Sequence, residues 1–445
     1  MKRFRELSPP TLLILSFFSA IALGTILLLL PISTVSGKIS FLDALFTSTS
    51  AVCVTGLIVV DTATYFTTFG KIVIMTLFQL GGLGIMTFTS LIFLIAKKKF
   101  TFSEKTLIEE SLPLQKGVST KRFIRDIFIF TFLMEFFGAI TLYIGSFAKQ
   151  FNTPQAILHS VFHSISAFNN AGFSTFSDSL VKYNDNHIVN LTILFLIVVG
   201  GLGFFVVRDL WYKVNGKEKG HRLALHSKLV LITSTILIII GFVFFFLLEQ
   251  HHALLGKTSF QKLYISLFQS ITPRTAGFNT IDLTLLYPAT GFLLIILMVI
   301  GASPGSTGGG MKTTTWAALL LFLRTKLKGK QNVQAFGRNI AWEIIDKAHL
   351  ILLFSIVTIF GGVFLISMFE GNKFSLLQIF FEEVSAYGTV GLSLGITSSL
   401  SKMSKIVIIL TMFVGRVGIL NFIYAFVSES KGAKFEYPEE KIMVG

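Results

Sequence analysis

Apolar residues along this chain gather into long unbroken runs, not into the alternating or one-faced patterns of a water-soluble fold. Eight runs recur, at roughly 11–31, 71–96, 126–147, 187–207, 228–248, 284–324, 347–369 and 403–428. A helix needs about 20 apolar residues to cross a bilayer core of about 30 Å, so each run predicts a membrane crossing. The first continues to Pro31 without a small-x-small cleavage site, which marks it as a span and not a cleaved signal. The sixth is 41 residues long, about twice a straight span, and its middle cannot hold a helix. There Gly301-Ala-Ser-Pro-Gly305-Ser306-Thr307-Gly308-Gly309-Gly310 places five glycines and a proline in ten positions.

The polar segments between runs differ in charge. Segments 1–10, 97–125, 208–228, 324–347 and 429–445 carry 26 Lys and Arg, while 32–71, 148–186, 249–283 and 370–405 carry 10. Positive charge is retained on the cytoplasmic side, so both termini are expected there. Eight crossings agree with termini on one side.

The outer segments hold a second pattern. Each contains an amphipathic stretch of 12–15 residues, too short to span, that leads up to a glycine. These stretches run Phe41 to Gly56, Ile157 to Gly172, Leu263 to Gly277 and Leu376 to Gly391, and Phe46, Phe162, Phe268 and Phe381 or Phe380 fall at matching places. The glycines are 116, 105 and 114 residues apart. An echo follows each, as Gly81-Gly-Leu-Gly84, Gly200-Gly-Leu-Gly203, Gly301-Ala-Ser-Pro-Gly305 and Gly415-Arg-Val-Gly418. Two aligned features at one period mark an internal repeat. The units read 1–117, 118–222, 223–340 with a broken second span, and 341–445.

Each unit therefore reads span, re-entrant segment, span. Non-helical backbone at membrane depth is tolerated only against protein or water. Four such loops around a pseudo-fourfold axis would line it with carbonyl oxygens, which can replace a cation's hydration shell. Glycine suits the turn because it accepts angles that a Cβ forbids. The C-terminal ends of the short helices also favour a cation on the axis. The glycines of the echo have a plainer reading, close helix–helix approach, which is preferred.

Composition sharpens this picture. Hydrophobic residues make up 52% and charged residues 14% of 445, against about 25% charged in ordinary globular chains. A disordered chain, a nucleic-acid-binding protein and a secreted disulfide scaffold are excluded; Cys53 stands alone. A net charge of +15 by itself would suit nucleic acid. With 48 Phe and these apolar runs it is a topology signal, and it leaves an acidic partner or anionic lipid open.

At the four single-glycine loops and the interrupted sixth run, the chain resembles the Trk/Ktr/HKT superfamily of potassium transporters. The match covers essentially the whole chain. Beginning directly with the first span, it looks more like the bacterial Ktr membrane subunit than Trk. The resemblance implies an all-α polytopic membrane protein with eight transmembrane helices and four re-entrant pore loops around a pseudo-fourfold pore. It implies a potassium filter at Val54, Thr55, Gly56, Asn170, Ala171, Gly172, Thr275, Ala276, Gly277, Thr389, Val390 and Gly391. Only K+, or Na+, would bind this chain, at those carbonyls. It further implies a homodimer in the bacterial plasma membrane on an octameric cytosolic ring that binds ATP or ADP. Sodium-selective plant relatives often carry Ser at the first filter position; here Gly56 is retained. Residues 301–312, with Gly305 to Gly310, are expected to form a gating loop beside Arg416 below the filter.

Other residues invite chemistry. His159 and His163 have the spacing of a metal pair, but packing is the preferred reading because no third ligand lies nearby. Glu382 and Glu383 would attract cations at the outer mouth, face water or brace the fourth loop. Arg274 beside Thr275 is expected to turn away from the axis and bond carbonyls or a carboxylate. Asp126 reads as an interfacial pair with Arg125, and Glu135 is an intramembrane carboxylate with either a functional or a structural partner. Gly305 to Lys312 lacks the Gly-Lys-Ser/Thr ending of a phosphate loop and falls at membrane depth, so nucleotide binding there is rejected. The competing functions are an alternating-access or sodium-coupled carrier and a membrane metalloenzyme using His159 and His163. No soluble segment is long enough for a regulatory domain, so control is expected from a separate protein on the basic loops 97–125 and 208–228 and the tail from 429.

Overall fold

The computed structural model describes residues 9–84, 120–214 and 222–425. The basic segment 97–119, the tail from 429 and the unit boundary at 117–118 lie outside the described residues. Long helix, short helix and second helix follow one another four times. The first set is α1 (Pro9–Leu29), α2 (Phe41–Val52) and α3 (Thr68–Leu83); the second is α4 (Thr120–Leu142), α5 (Thr153–Phe168) and α6 (His187–Leu202), continued by α7 (Phe204–Val214). The third is α8 (Leu225–Glu249), α9 (Ser259–Ile271) and α10 (Pro288–Val299), continued by α11 (Thr313–Leu327). The fourth is α12 (Trp342–Glu370), α13 (Leu376–Gly388) and α14 (Lys402–Val417), continued by α15 (Ile419–Tyr424). A two-stranded hairpin, β1 (Gln334–Ala335) and β2 (Arg338–Asn339), joins α11 to α12.

Each short helix begins where its sequence supplies a cap. Ser40, Asn152, Thr258 and Ser375 accept from backbone amides three residues on, and Gln261 and Gln378 complete capping boxes. The first helices are long and apolar enough to cross a bilayer: Pro10–Leu29, Arg122–Gln150, Leu225–Glu249 and Trp342–Glu370. The second helices are shorter than the apolar runs suggest, with 16, 16, 12 and 16 residues. The reason is backbone geometry. α3, α6 and α14 stop at Gly84, Gly203 and Gly418, whose φ angles of 79°, 90° and 89° end a right-handed helix. After Gly203 the chain departs as α7 at 100° to α6, so the run at 187–207 is not one straight span.

Packing follows a cycle. Within each set the long helix lies on the short and the second helix; between sets α3 packs on α5, α6 on α9, α10 on α13 and α14 on α2. The last contact returns to the first set. Glycines let the elements meet. A Cβ at Gly81, Gly200 or Gly415 would fall 2.0, 1.9 or 2.0 Å from the carbonyl oxygen of Val52, Phe168 or Tyr387, at the end of the unit's own short helix. The close-approach reading of these three glycines holds, and the last glycine of the same three echoes adds the helix stop; in the third set the helix has already ended at Val299, before Gly301 and Gly305.

A serine on three short helices fixes the long helix beside it. Ser48, Ser164 and Ser270 donate to the carbonyls of Ile21, Glu135 and Ile238 at 2.8, 2.6 and 2.6 Å. Each hydroxyl faces a helix glycine, Gly24, Gly138 or Gly241. In the fourth set Glu383 takes the serine's place against Gly362 and instead accepts from Thr411 on α14 at 2.7 Å.

Candidate ion pathway

The four loops that follow α2, α5, α9 and α13 share one backbone shape. Val54, Asn170, Thr275 and Thr389 have φ of 57°, 56°, 72° and 49°, and two residues on Gly56, Gly172, Gly277 and Gly391 have φ of 88°, 70°, 77° and 92°. Side-chain-bearing residues, three of them β-branched, rarely hold such angles; each costs on the order of 1–3 kcal/mol and persists where surroundings over-determine it. The surroundings are hydrogen bonds. The amides of Thr55, Ala171 and Val390 donate to Ser50, Ser166 and Ser385 carbonyls at 2.7, 2.7 and 2.8 Å, and Ala276 to Thr272 at 2.9 Å. Ser50 and Ser385 hydroxyls accept from Gly56 and Gly391 amides, both at 3.1 Å.

The glycines close a ring. A Cβ on Gly56 would lie 2.5 Å from the carbonyl oxygen of Ala171, and one on Gly172 would lie 3.0 Å from that of Ala276. From Gly277 the neighbour is the Val390 oxygen at 2.4 Å, and from Gly391 it is the Thr55 oxygen at 2.1 Å. Each loop thus abuts the next in sequence order and the fourth abuts the first. The twelve residues singled out from the sequence are brought together here.

On one side of this ring lies a cavity of about 540 Å³ lined by all four glycines and by Asp61, Asp178 and Asp282. The carboxylates are residues that sequence reasoning missed. They stand five, six and five positions beyond Gly56, Gly172 and Gly277, so extending the repeat alignment past the glycine would have found them. Asp61 accepts from the Ala63 amide at 3.0 Å and from Ser177 Oγ at 2.5 Å, Asp282 accepts from the Thr284 amide at 2.9 Å, and Asp178 lies 3.9 Å from Lys182.

On the other side lies the glycine-rich segment. It is tied to the second set through Ser303 N to Gly201 O at 3.2 Å and Phe204 N to Gly305 O at 3.1 Å, and to the fourth through Gly310 N to Gly415 O at 3.2 Å. Thr307 Oγ1 donates to Phe168 O at 3.3 Å, and Gly309 N to Thr389 Oγ1 at 3.1 Å. A Cβ on Gly308 would fall 2.1 Å from Thr275 Oγ1, so this segment lies directly against the side chain of the third loop. Arg416 donates to the carbonyls of Thr307 and Gly81, joining the segment to the first set. Lys312, not assigned a role from sequence, donates to Gly308 O at 2.6 Å and to Gly309 O at 3.3 Å. Gly305, Ser306, Thr307, Gly308, Gly309, Gly310 and Arg416 therefore sit together.

The remaining candidates resolve as braces. Glu382 and Glu383 are fully buried, not at a water-facing mouth. Glu382 accepts from Ser393 Oγ at 2.8 Å and from Thr397, holding the chain beyond the fourth loop. Arg274 turns away from the ring, but its partner is a hydroxyl, Ser234 Oγ on α8 at 2.9 Å, instead of the carbonyl or carboxylate expected. Glu135 accepts from Gln79 at 3.1 Å and Asn169 at 3.0 Å, linking α4 to α3 and the end of α5. Asp126 pairs with Arg125 at 3.3 Å. His163 bonds Ser174 Oγ at 2.9 Å and His159 bonds Thr175 Oγ1 at 2.6 Å; among the described residues no three His, Cys, Asp or Glu are placed to hold a metal.

Comparison with known proteins agrees with this architecture. The profile of the TrkH family, described as cation transport protein, matches residues 8–437. The chain is 40% identical to Ktr system potassium uptake protein B of Bacillus subtilis, over 98% of this chain and 97% of that one. It is 36% identical to the protein of the same name from Vibrio alginolyticus, over 98% and 95%. It is 38% identical to the potassium/sodium uptake protein NtpJ of Enterococcus hirae, over 100% and 99%. The crystal structure of the potassium transporter TrkH from Vibrio parahaemolyticus shares the fold, with a TM-score of 0.73 at 20% identity over 93% of this chain and 83% of that one. A family match along almost the whole chain, on a frame of apolar helices, makes this a multi-pass membrane protein that belongs to the TrkH/Ktr family of cation transport proteins.

Proposed function

We propose that this protein is the ion-conducting subunit of a potassium uptake system. The observation that carries the reading is the closed ring of Gly56, Gly172, Gly277 and Gly391, each pressed on the carbonyl of the next loop. Four extended segments joined in this way surround one axis, and their carbonyls can take the place of water around a cation. In this reading the chain comprises four span–loop–span units, 1–117, 118–222, 223–340 and 341–445, with eight crossings and both termini cytoplasmic. Conduction runs from the acidic cavity through the ring, driven by the membrane potential. Residues 301–312 close the cytoplasmic side, held by Arg416 and Lys312.

Two further proposals come with the resemblance to Ktr systems. The chain forms a homodimer, and a separate cytosolic ring of eight subunits, binding ATP or ADP, moves the 301–312 segment aside. Relatives carrying the Ktr system name support a partnered system. The likeness to a potassium/sodium uptake protein keeps a second reading, sodium permeation or sodium coupling in the same pathway.

Potassium and sodium flux into vesicles containing this chain, alone and with its cytosolic partner, tests the proposal. Potassium entry following an imposed negative-inside potential, without need of a sodium gradient, is expected. Sodium entry, or potassium entry driven by a sodium gradient, would favour the second reading, and absence of cation flux from correctly inserted protein would overturn both.

A further inference from the structure

The first turns of α8 and the last turns of α11, cytoplasmic in the proposed topology, leave a cleft of about 590 Å³ between them, closed at one end by the β1–β2 hairpin. Its walls are apolar: Ile232 and Ile236 on α8 and Leu320 on α11 remain 46%, 50% and 49% exposed. Its hairpin end is basic. Arg324, Lys328 and Lys330 all line it, and no Asp or Glu is among the lining residues. Among the described residues none of these three cations takes part in an ion pair. Lys228, in the first turn of α8, adds a fourth positive charge, its ammonium 5.4 Å from the ring of Phe336 at the hairpin tip.

Cations at the last turn of a helix have a plain explanation, since they complement the partial negative charge there. That explanation covers Arg324 in the last turn and Lys328 at the C-cap of α11, but not Lys330. The amides of Gly329 and Lys330 donate to Lys326 and Thr325 carbonyls, so the chain folds back at Gly329 and brings Lys330 to the same opening. The apolar wall is what any bilayer-facing helix presents, but here it forms a trough that runs up from the cationic rim. From Leu320 to Lys328 the helix rises about 12 Å, so apolar wall and cationic rim are separated as an acyl chain is from its headgroup. A free anion would use the rim and not the trough. A hydrocarbon chain would use the trough and not the rim.

We propose that this cleft binds one anionic phospholipid of the cytoplasmic leaflet, its phosphate between Arg324, Lys328 and Lys330 and one acyl chain along Ile232, Ile236 and Leu320. Basic pockets between membrane helices at the cytoplasmic border take such headgroups. This assignment rests on the proposed topology for its choice of leaflet, but not on the reading of the ion pathway.

The test is native mass spectrometry of the purified full-length protein in detergent, titrated with phosphatidylglycerol or with phosphatidylcholine of the same chains. The wild type is expected to retain phosphatidylglycerol in preference to phosphatidylcholine. Arg324→Gln, Lys328→Gln and Lys330→Gln are each expected to weaken that retention about fivefold, the ratio corresponding to roughly 1 kcal/mol per surface cation. Ile232→Ser with Ile236→Ser is expected to weaken it with the rim intact, while Lys149→Gln, exposed on another part of the surface, leaves it unchanged. The single substitutions are read separately, so failure of any one variant to fold leaves the others to decide. Equal retention of the two lipids by the wild type, or undiminished phosphatidylglycerol retention in folded single variants, would overturn the proposal. So would displacement of the lipid by glycerol phosphate, which marks a free-anion site. Loss of dimerisation or of partner binding in the charge variants with lipid retention intact would assign the cleft to a protein and overturn it as well.

Discussion

The ammonium of Lys312 donates to the carbonyl oxygen of Gly308, 2.6 Å away and four residues back. With Arg416 bonded to the carbonyl of Thr307 next to it, two cations hold adjacent carbonyls of one non-helical segment. Buried backbone oxygens at membrane depth need donors, and these side chains supply them from opposite ends: Lys312 from within the segment, Arg416 from the end of α14.

If that segment is the barrier, weakening its anchors opens it. Lys312→Met, Arg416→Ala and deletion of Ser306 to Gly309 are each expected to raise potassium flux about tenfold, the ratio given by ~1.5 kcal/mol of lost charged hydrogen bonding. They are also expected to reduce dependence on the cytosolic partner. Flux into vesicles with and without the partner measures both, and unchanged flux in correctly inserted variants removes the barrier role.

Replacing the ring glycines by serine is expected to lower discrimination of potassium over sodium, in a graded order. The new Cβ would lie 2.1 Å from a carbonyl oxygen at Gly391, 2.4 Å at Gly277, 2.5 Å at Gly56 and 3.0 Å at Gly172. Gly391→Ser should therefore be the most disruptive and Gly172→Ser the mildest. Permeability ratios from competition flux check the order; wild-type ratios in all four variants would show that this ring does not select.

Asp61, Asp178 and Asp282 border the cavity beside the ring, and in the proposed pathway their carboxylates would concentrate cations at its outer mouth. Substituting all three by Asn is expected to lower uptake at low ionic strength by several-fold and to have little effect at high salt, because screening removes the field in either case. Uptake rates at fixed potassium and rising choline chloride separate the two conditions. A salt-independent loss would mean instead that the carboxylates serve only as the helix and turn caps seen at Asp61 and Asp282.

Gly362 and Glu383 give a stability test. A Cβ at position 362 would meet Glu383 Oε1 at 2.0 Å, within a fully buried contact. Gly362→Ala is expected to destabilise by about 1–3 kcal/mol, the usual cost of overpacking. Pairing it with Glu383→Ala should recover part of that loss by making room. Thermal melting in detergent reads both, and additive losses in the double variant would show that the two positions do not press on each other.

Some of this was legible in the sequence for a simple reason. A bilayer demands runs of apolar residues of a set length, and caps, glycines and charge asymmetry are local signals, so the helices, the four short segments and the loops after them could be placed by eye. The register of Gly56, Gly172, Gly277 and Gly391 was visible because the same local strain recurs four times. What lay beyond reach was anything fixed by contact between distant segments. No local pattern says that α6 stops at Gly203 to let the chain turn by 100°, since the apolar run continues past it. Nothing in the spacing says that Arg274 bonds Ser234, or that Glu383 fills a place held elsewhere by serine and reaches Thr411. Those partners lie 40 and 28 residues away and on other helices. The sequence alone determined a membrane protein with a fourfold repeated motif. Only the tertiary structure decided which carbonyl each glycine meets and which cation holds the segment beneath them, because a buried polar group takes whichever partner the packing of other elements brings within reach.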